Sequence, residues 1–153
     1  QKVIMKQRQI TGYKVGFVAC CATKRKGLFK AKDLYVSDLF KKSFAFCCKH
    51  YDYVYILSAK YGFLKMDDYI EDYDLTLNNF TVKEKELWAD NVYNEIVKHI
   101  SEYDSLYWHC GYNYRYILME KLNNVHYVPL DSMGIGKQLS FYKNSMNVYN
   151  DLF

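Results

Sequence analysis

Four short apolar stretches rich in β-formers recur along the chain, and segments with helical periodicity separate them. Lys14–Cys21 (KVGFVACC) and Tyr53–Ala59 (YVYILSA) are continuous apolar runs, the pattern of strands buried on both faces. Ser105–Cys110 (SLYWHC) ends at Gly111, and Val125–Val128 is stopped by Pro129. Between these runs, Ser37 is placed to cap a helix through about His50, with Leu39, Phe40, Phe44 and Cys47 or Cys48 at helical spacing. Thr81 and Glu84 have the spacing of a capping box. They open a helix to about Ile100 whose apolar face carries Leu87, Trp88, Val92, Ile96 and Ile100. Tyr114–Leu122 and Lys137–Tyr149 read as further helices. Strands alternating with helices predict βαβ units, hence an α/β fold with a mainly parallel four-stranded sheet and helices on both faces. Residues 1–12 read as an N-terminal edge strand or arm, residues 22–33 as a basic loop, and residues 60–79 as a polar irregular segment, long for a loop.

At 153 residues, half of them hydrophobic and a quarter charged, the chain has the size and composition of one globular domain, 1–153. A disordered chain and a collagen-like one are excluded. The net charge of +4 conceals an asymmetry: residues 1–60 carry 13 Lys/Arg against 3 Asp/Glu, and the remainder carries 8 against 14. Such a basic half is either a solvated surface or the footprint of an anionic partner such as a nucleotide or nucleic acid.

The five cysteines (Cys20, Cys21, Cys47, Cys48 and Cys110) are odd in number, lie in apolar stretches and form no CxxC. No metal site is indicated, Cys20 is expected to be neither a metal ligand nor a disulfide partner, and a reducing cytoplasm fits. No signal-peptide core heads the chain, and no apolar run approaches the roughly 20 residues of a membrane span. A cytoplasmic protein with no membrane partner is therefore expected.

In parallel α/β sheets ligands bind beyond the carboxyl ends of the strands. That rule selects residues 20–37, 58–74, 110–114 and 131–137. Cys20 ends the first strand and is followed by Lys24, Arg25 and Lys26, which make either a phosphate or carboxylate site or a solvated turn. Beside those cations Cys20 is an activated nucleophile or, as a strand residue, a buried and inert thiol. No GxxxxGK[ST] occurs, which excludes a P-loop ATPase. The second strand runs into Ser58, Lys60, Tyr61 and Gly62. Ser58 and Lys60 suit ligand positioning better than a nucleophilic dyad, and Gly62 permits a tight turn. Asp67, Asp68, Glu71, Asp72 and Asp74 are a solvated acidic run or a source of a base or ribose contact. His109 is by default a satisfied core histidine, and Tyr112 after Gly111 suits stacking on a base. Gly134 and Gly136, ahead of a helix, could present backbone N–H groups to an anion.

Several of these segments carry a pattern: Cys20-x3-Lys24, Asp33-Leu-Tyr35-Val-Ser37-Asp-Leu-Phe40, Ile56-Leu-Ser58-Ala-Lys60-Tyr61-Gly62-Phe-Leu64, Tyr73-Asp74-Leu-Thr-Leu77 and Met133-Gly134-Ile-Gly136. Together they resemble a small phage and bacterial α/β domain family of unknown function. That family is distantly similar to the YaaA peroxide-stress proteins and to the domain of archaeosine synthase that attaches lysine to a deazaguanine base. The chain departs from the pattern in lacking a Pro between Leu64 and Tyr73 and in carrying Cys21 where Ser is usual. The resemblance implies a three-layer fold like that of the uracil-DNA glycosylases, and a nucleobase, nucleotide or nucleic acid as ligand.

These readings converge on a nucleotide-like or nucleobase-like small molecule bound at the strand carboxyl ends, with base-modifying or nucleotide-processing activity permitted by the resemblance. Lys24, Arg25 and Lys60 would hold its anionic part, Tyr61 and Tyr112 would stack or hydrogen-bond, Ser37 and Ser58 would orient it, and Asp74 would accept from the sugar or base. Cys20, Tyr35, Gly62, Gly111, Gly134 and Gly136 complete the candidate site; no cofactor is implied. Two alternatives are a non-catalytic phage protein that sequesters a nucleotide second messenger of host defence, and a DNA-binding protein using the basic half.

Overall fold

A computed structural model describes residues 12–151, with side chains to 146. The expected N-terminal strand or arm lies, but for Gly12, outside the described residues. Among the described residues the elements follow in the order β1 (Lys14–Ala19), β2 (Leu28–Lys30), α1 (Ala31–Leu34), α2 (Asp38–His50), β3 (Tyr53–Ser58), β4 (Gly62–Lys65), β5 (Tyr69–Glu71), α3 (Val82–Ile96), β6 (Ser105–His109), α4 (Tyr112–Lys121), β7 (Val125–Tyr127) and α5 (Ile135–Asp151). A 3₁₀ turn at Leu77–Asn79 precedes α3.

The main sheet has the order β4-β3-β1-β6-β7. β1 is central, parallel to β3 from Val15↔Tyr53 to Ala19↔Leu57 and to β6 from Lys14↔Ser105 to Val18↔His109. β7 extends the sheet in parallel beyond β6. The four expected strands are thus neighbours in one parallel array. The sheet nevertheless has five strands, because β4 pairs antiparallel on the β3 edge through a turn at Gly62 (φ +72°). Four residues ending in exposed Lys65 carry too little alternation to announce an edge strand.

Alternation along the strands divides the core. Val15, Phe17, Leu106 and Trp108 meet Trp88, Val92 and Ile96 of α3 and Leu118 of α4 on one face. Val18, Val54 and Ile56 meet Phe40, Phe46 and Cys47 of α2 and Tyr142 of α5 on the other. Phe17 stacks on Trp108 at 4.4 Å between ring centroids.

The caps appear as the sequence predicts. Ser37 Oγ accepts from Phe40 N, and Thr81 and Glu84 exchange the two bonds of a capping box. Several helix limits differ by one to four residues. α3 ends at Ile96, with residues 97–99 in a turn, and Leu87 is exposed while Ala89 takes the buried place beside Trp88. α4 and α5 each begin two residues early, at Tyr112 and Ile135. The basic loop 22–33 contains β2 and the single turn α1. β2 pairs antiparallel with β5, and Phe29, Ala31, Leu34, Tyr35 and Ile70 join the core beneath a lysine-rich exterior. Among the described residues no helix is long and apolar enough to cross a membrane.

Candidate functional site

The β1–β6 pair ends at residues 19–21 and 109–111, and there the sheet opens into a cavity of about 410 Å³. Three helices start at its rim. Ser37, the N-cap of α2, Gly111, the N-cap of α4, and Ile135, the first residue of α5, all line it. In a parallel sheet the segments that leave the carboxyl ends of the strands lead to helices whose N-termini lie at that same end; α4 follows β6 directly, α5 follows β7, and α2 follows β1 after β2 and α1. Helix N-termini carry partial positive charge and unsatisfied N–H groups. The cap of α4 is a glycine that offers no side-chain acceptor, and Tyr114 N donates to its carbonyl.

Phe40, Trp108, Tyr112, Tyr114 and Tyr142 give the walls an aromatic character, while Ser43, Asn113, Arg115 and Gln138 bring polar groups. Cys20 lies where β1 meets the cavity; its Sγ is 3.3 Å from the Tyr114 hydroxyl. Arg115 is the single arginine of residues 61–153. Its side chain is only 12% exposed, one guanidinium nitrogen donates to Asp131 Oδ1 at 3.2 Å, and its buried Nε–H has no acceptor among the described residues.

His109 forms the floor together with Tyr142. Its Nδ1 is 2.7 Å from Tyr142 Oη and its Nε2 is 2.6 Å from Tyr51 Oη. Burial, helped by the nearby His50 charge, pulls its pKa down to about 4, so the ring is neutral at pH 7. Burial also pushes the Cys110 thiol up to about 12. The hydroxyls of Tyr114 and Tyr142 are likewise raised by burial, so all of these groups are protonated donors or acceptors and carry no charge.

A second cluster forms around Tyr73, on the β3 side of Cys20. The Tyr73 hydroxyl is 2.7 Å from both Tyr35 Oη and Ser58 Oγ. Ser58 is fully buried; its Oγ also accepts from Tyr61 N, and its carbonyl accepts from Trp88 Nε1. Lys24 Nζ lies 4.3 Å from the centre of the Tyr73 ring, Tyr61 meets that ring edge-on at 5.6 Å, and Lys60 Nζ is 5.2 Å from the Tyr61 ring.

The candidate residues therefore divide between two places. Cys20, Ser37, Gly111 and Tyr112 line the cavity. Lys24, Tyr35, Ser58, Lys60 and Tyr61 gather around Tyr73, outside its walls. Arg25 turns back to donate to Asp33 O, Gly62 makes the β3–β4 turn, and Asp74 is exposed on the following segment. Gly134 precedes α5 and Gly136 lies in its first turn, both open to their surroundings. Ser37 and Ser58 spend their hydroxyls on a helix cap and on the tyrosine cluster. Sequence reasoning did not select Tyr114, Arg115, Gln138 and Tyr142, which sit within helices; the one available signal was a lone arginine four residues after Gly111. All five cysteines are free thiols, and among the described residues no group of three or more His, Cys, Asp or Glu could hold a metal ion.

No curated protein matches this chain. A family model described as a family of unknown function, DUF6884, matches residues 15–144, a span that runs from β1 into α5 and includes both clusters. The chain belongs to that family.

Proposed function

We propose that the chain binds a nucleotide-like small molecule in the cavity at the carboxyl ends of β1 and β6, its ring against the aromatic walls and its anionic part toward the helix N-termini. The observation that carries this reading is the meeting of three helix N-termini and Arg115 around one aromatic-walled cavity. The aromatic faces supply stacking and the N-termini favour an anion. A volume of about 410 Å³ falls within the range of small-molecule sites. The motif resemblance to the YaaA proteins and to the lysine-attaching domain of archaeosine synthase, with its uracil-DNA-glycosylase-like fold, supports the same ligand class. In this reading Tyr112 stacks, Gln138 and Asn113 address the base or sugar, and Cys20 with Tyr114 stands at the inner wall.

Calorimetric titration with the four nucleoside monophosphates and their free bases tests it. At least one nucleotide binds, and Tyr112→Ala and Gln138→Ala each weaken it by about tenfold, the loss expected of a stacking or hydrogen-bonding partner. Lys60→Ala is the control. If that variant alone loses affinity, the ligand belongs to the Tyr73 cluster; if no nucleotide or base binds, the reading fails. Mass analysis of the ligand after denaturation separates a sequestering protein, which returns it unchanged, from an enzyme, which returns product.

A further inference from the structure

Arg115 borders two cavities. Beyond the one described, a second and more open cavity of about 400 Å³ lies along α4, and Tyr112, Arg115, Val128 and Asp131 line both. Tyr116, Met119, Glu120 and His126 complete the second one. Its aromatic side is ordered: Tyr112 and Tyr116, one helical turn apart, stack at 4.6 Å with ring planes 6° apart. His126 is held by two bonds, accepting from Trp108 Nε1 at 2.9 Å on Nδ1 and placing Nε2 2.8 Å from Leu122 O. An indole N–H only donates and a carbonyl only accepts, so Nδ1 accepts and Nε2 donates.

Resting on the nucleotide reading above, we infer that the ligand has two ring systems joined through a phosphate, a dinucleotide-type molecule that lies across the Arg115–Asp131 pair with one ring in each cavity.

The argument is one of position and of unspent hydrogen bonds. Arg115 is one of the four residues that border both spaces; its guanidinium is held to Asp131 by a bond from one nitrogen, while its Nε–H is buried without an acceptor among the described residues. A guanidinium has five donors in a planar fork that matches phosphate oxygens two at a time. Asp131 is 63% exposed and free to swing toward water, so a phosphodiester can take its place on the fork. A mononucleotide would place a phosphate there and leave the second space to solvent. A molecule with a ring on each side fills both and buries the stacked tyrosine pair. Glu120, which lines the second cavity, disfavours a further phosphate there.

The test is calorimetric titration of the full chain with the dinucleoside monophosphates ApA, GpG, CpC and UpU and with the matching mononucleotides. At least one dinucleotide binds tenfold or more tighter than its mononucleotide. Tyr116→Ala removes that excess, bringing the ratio of dinucleotide to mononucleotide affinity close to one. Arg115→Gln weakens the dinucleotide at least tenfold, whereas Asp131→Asn, which removes the competing anion, tightens it. A thermal melt of each variant confirms folding, and Asp131→Asn makes the test independent of any damage done by losing Arg115. Equal affinity for mono- and dinucleotides, with Tyr116→Ala neutral, overturns this inference and leaves the single-cavity reading standing. An absence of binding by either ligand class overturns that reading and this one with it.

Discussion

Nδ1 of His109, at the end of β6, lies 2.7 Å from the hydroxyl of Tyr142 on α5, so the strand that opens the cavity is bonded to the helix that closes it. Its Nε2 is taken by Tyr51, 2.6 Å away. A neutral imidazole serves one tyrosine as donor and the other as acceptor; a protonated one would be a donor on both sides, buried and without a counter-charge.

Acid should therefore loosen this fold through His109. Its pKa is lowered from 6.5 in an unfolded chain to about 4. Between those values the unfolded state binds a proton that the folded state refuses, so stability is full above pH 6.5 and falls as pH drops toward 4. A shift of that size corresponds to about 3 kcal/mol at most. Urea unfolding of the wild type and of His109→Gln at pH 7 and pH 4.5 checks it: the difference between the two proteins should shrink at the lower pH. A difference that stays constant contradicts the assignment.

The tyrosine cluster predicts a non-additive pair. Tyr73 Oη bridges Tyr35 Oη and Ser58 Oγ, and Tyr35 is almost fully buried. Tyr73→Phe removes that bond from the buried Tyr35 hydroxyl, which keeps only Ser58 beside it, and should cost about 1–3 kcal/mol. Adding Tyr35→Phe removes the under-bonded group, so the double variant should be less destabilised than the sum of the singles. Chemical denaturation of the four proteins gives the coupling energy, and simple additivity would refute the bridge.

Gly16→Ala should destabilise strongly for a β1 position that merely pairs in the sheet. A Cβ there would stand 2.5 Å from Tyr51 Cδ2 and 3.4 Å from Cys47 Cβ. The Tyr51 ring cannot yield freely, since it stacks on Tyr107 at 4.4 Å and bonds to His109. Overpacking of this kind costs about 1–3 kcal/mol. A melting temperature equal to that of the wild type would show that the ring moves without penalty.

Thiol reactivity should follow burial. Cys47 is fully buried with its pKa raised by burial, and burial also pushes Cys110 up to about 12. Cys48 is exposed on the same helix as Cys47. Alkylation by iodoacetamide at pH 7.5, read by peptide mass mapping, should mark Cys48 early, half-buried Cys110 slowly, and Cys47 only when denaturant is added. Rapid labelling of Cys47 in the folded protein would contradict this order.

How far such features can be read in a sequence depends on how local their causes are. β1 and β3 were readable because a strand covered on both faces must be apolar throughout, and Val15–Val18 and Ile56–Ser58 are buried without interruption. β4 was not, because its four residues depend on pairing with Tyr55, Ile56, Leu57 and Ser58 rather than on a pattern of their own. The cavity rim at Cys20, Ser37, Gly111 and Tyr112 followed from the rule that sites lie past strand ends. The interior did not: Arg115 is held by Asp131, sixteen residues on, and Tyr142 by His109, thirty-three residues back. Local spacing carries no trace of either bond. Phe29, Ala31 and Leu34 were hidden differently, as isolated apolar residues among lysines in a segment too short for a period to show.

The sheet order also bears on how the chain is made. The first strand of the five to leave the ribosome is the central one, and its partners come much later, with Val15 facing Tyr53 and Lys14 facing Ser105. Until β6 has emerged, one edge of β1 has no neighbour and Phe17 lacks the indole it stacks on. Pairings this distant slow folding and lengthen the time for which apolar strands stand open. A nascent chain stalled before residue 105 would therefore display a bare, adhesive strand edge, and in the cell its safe passage would rest on chaperones during translation.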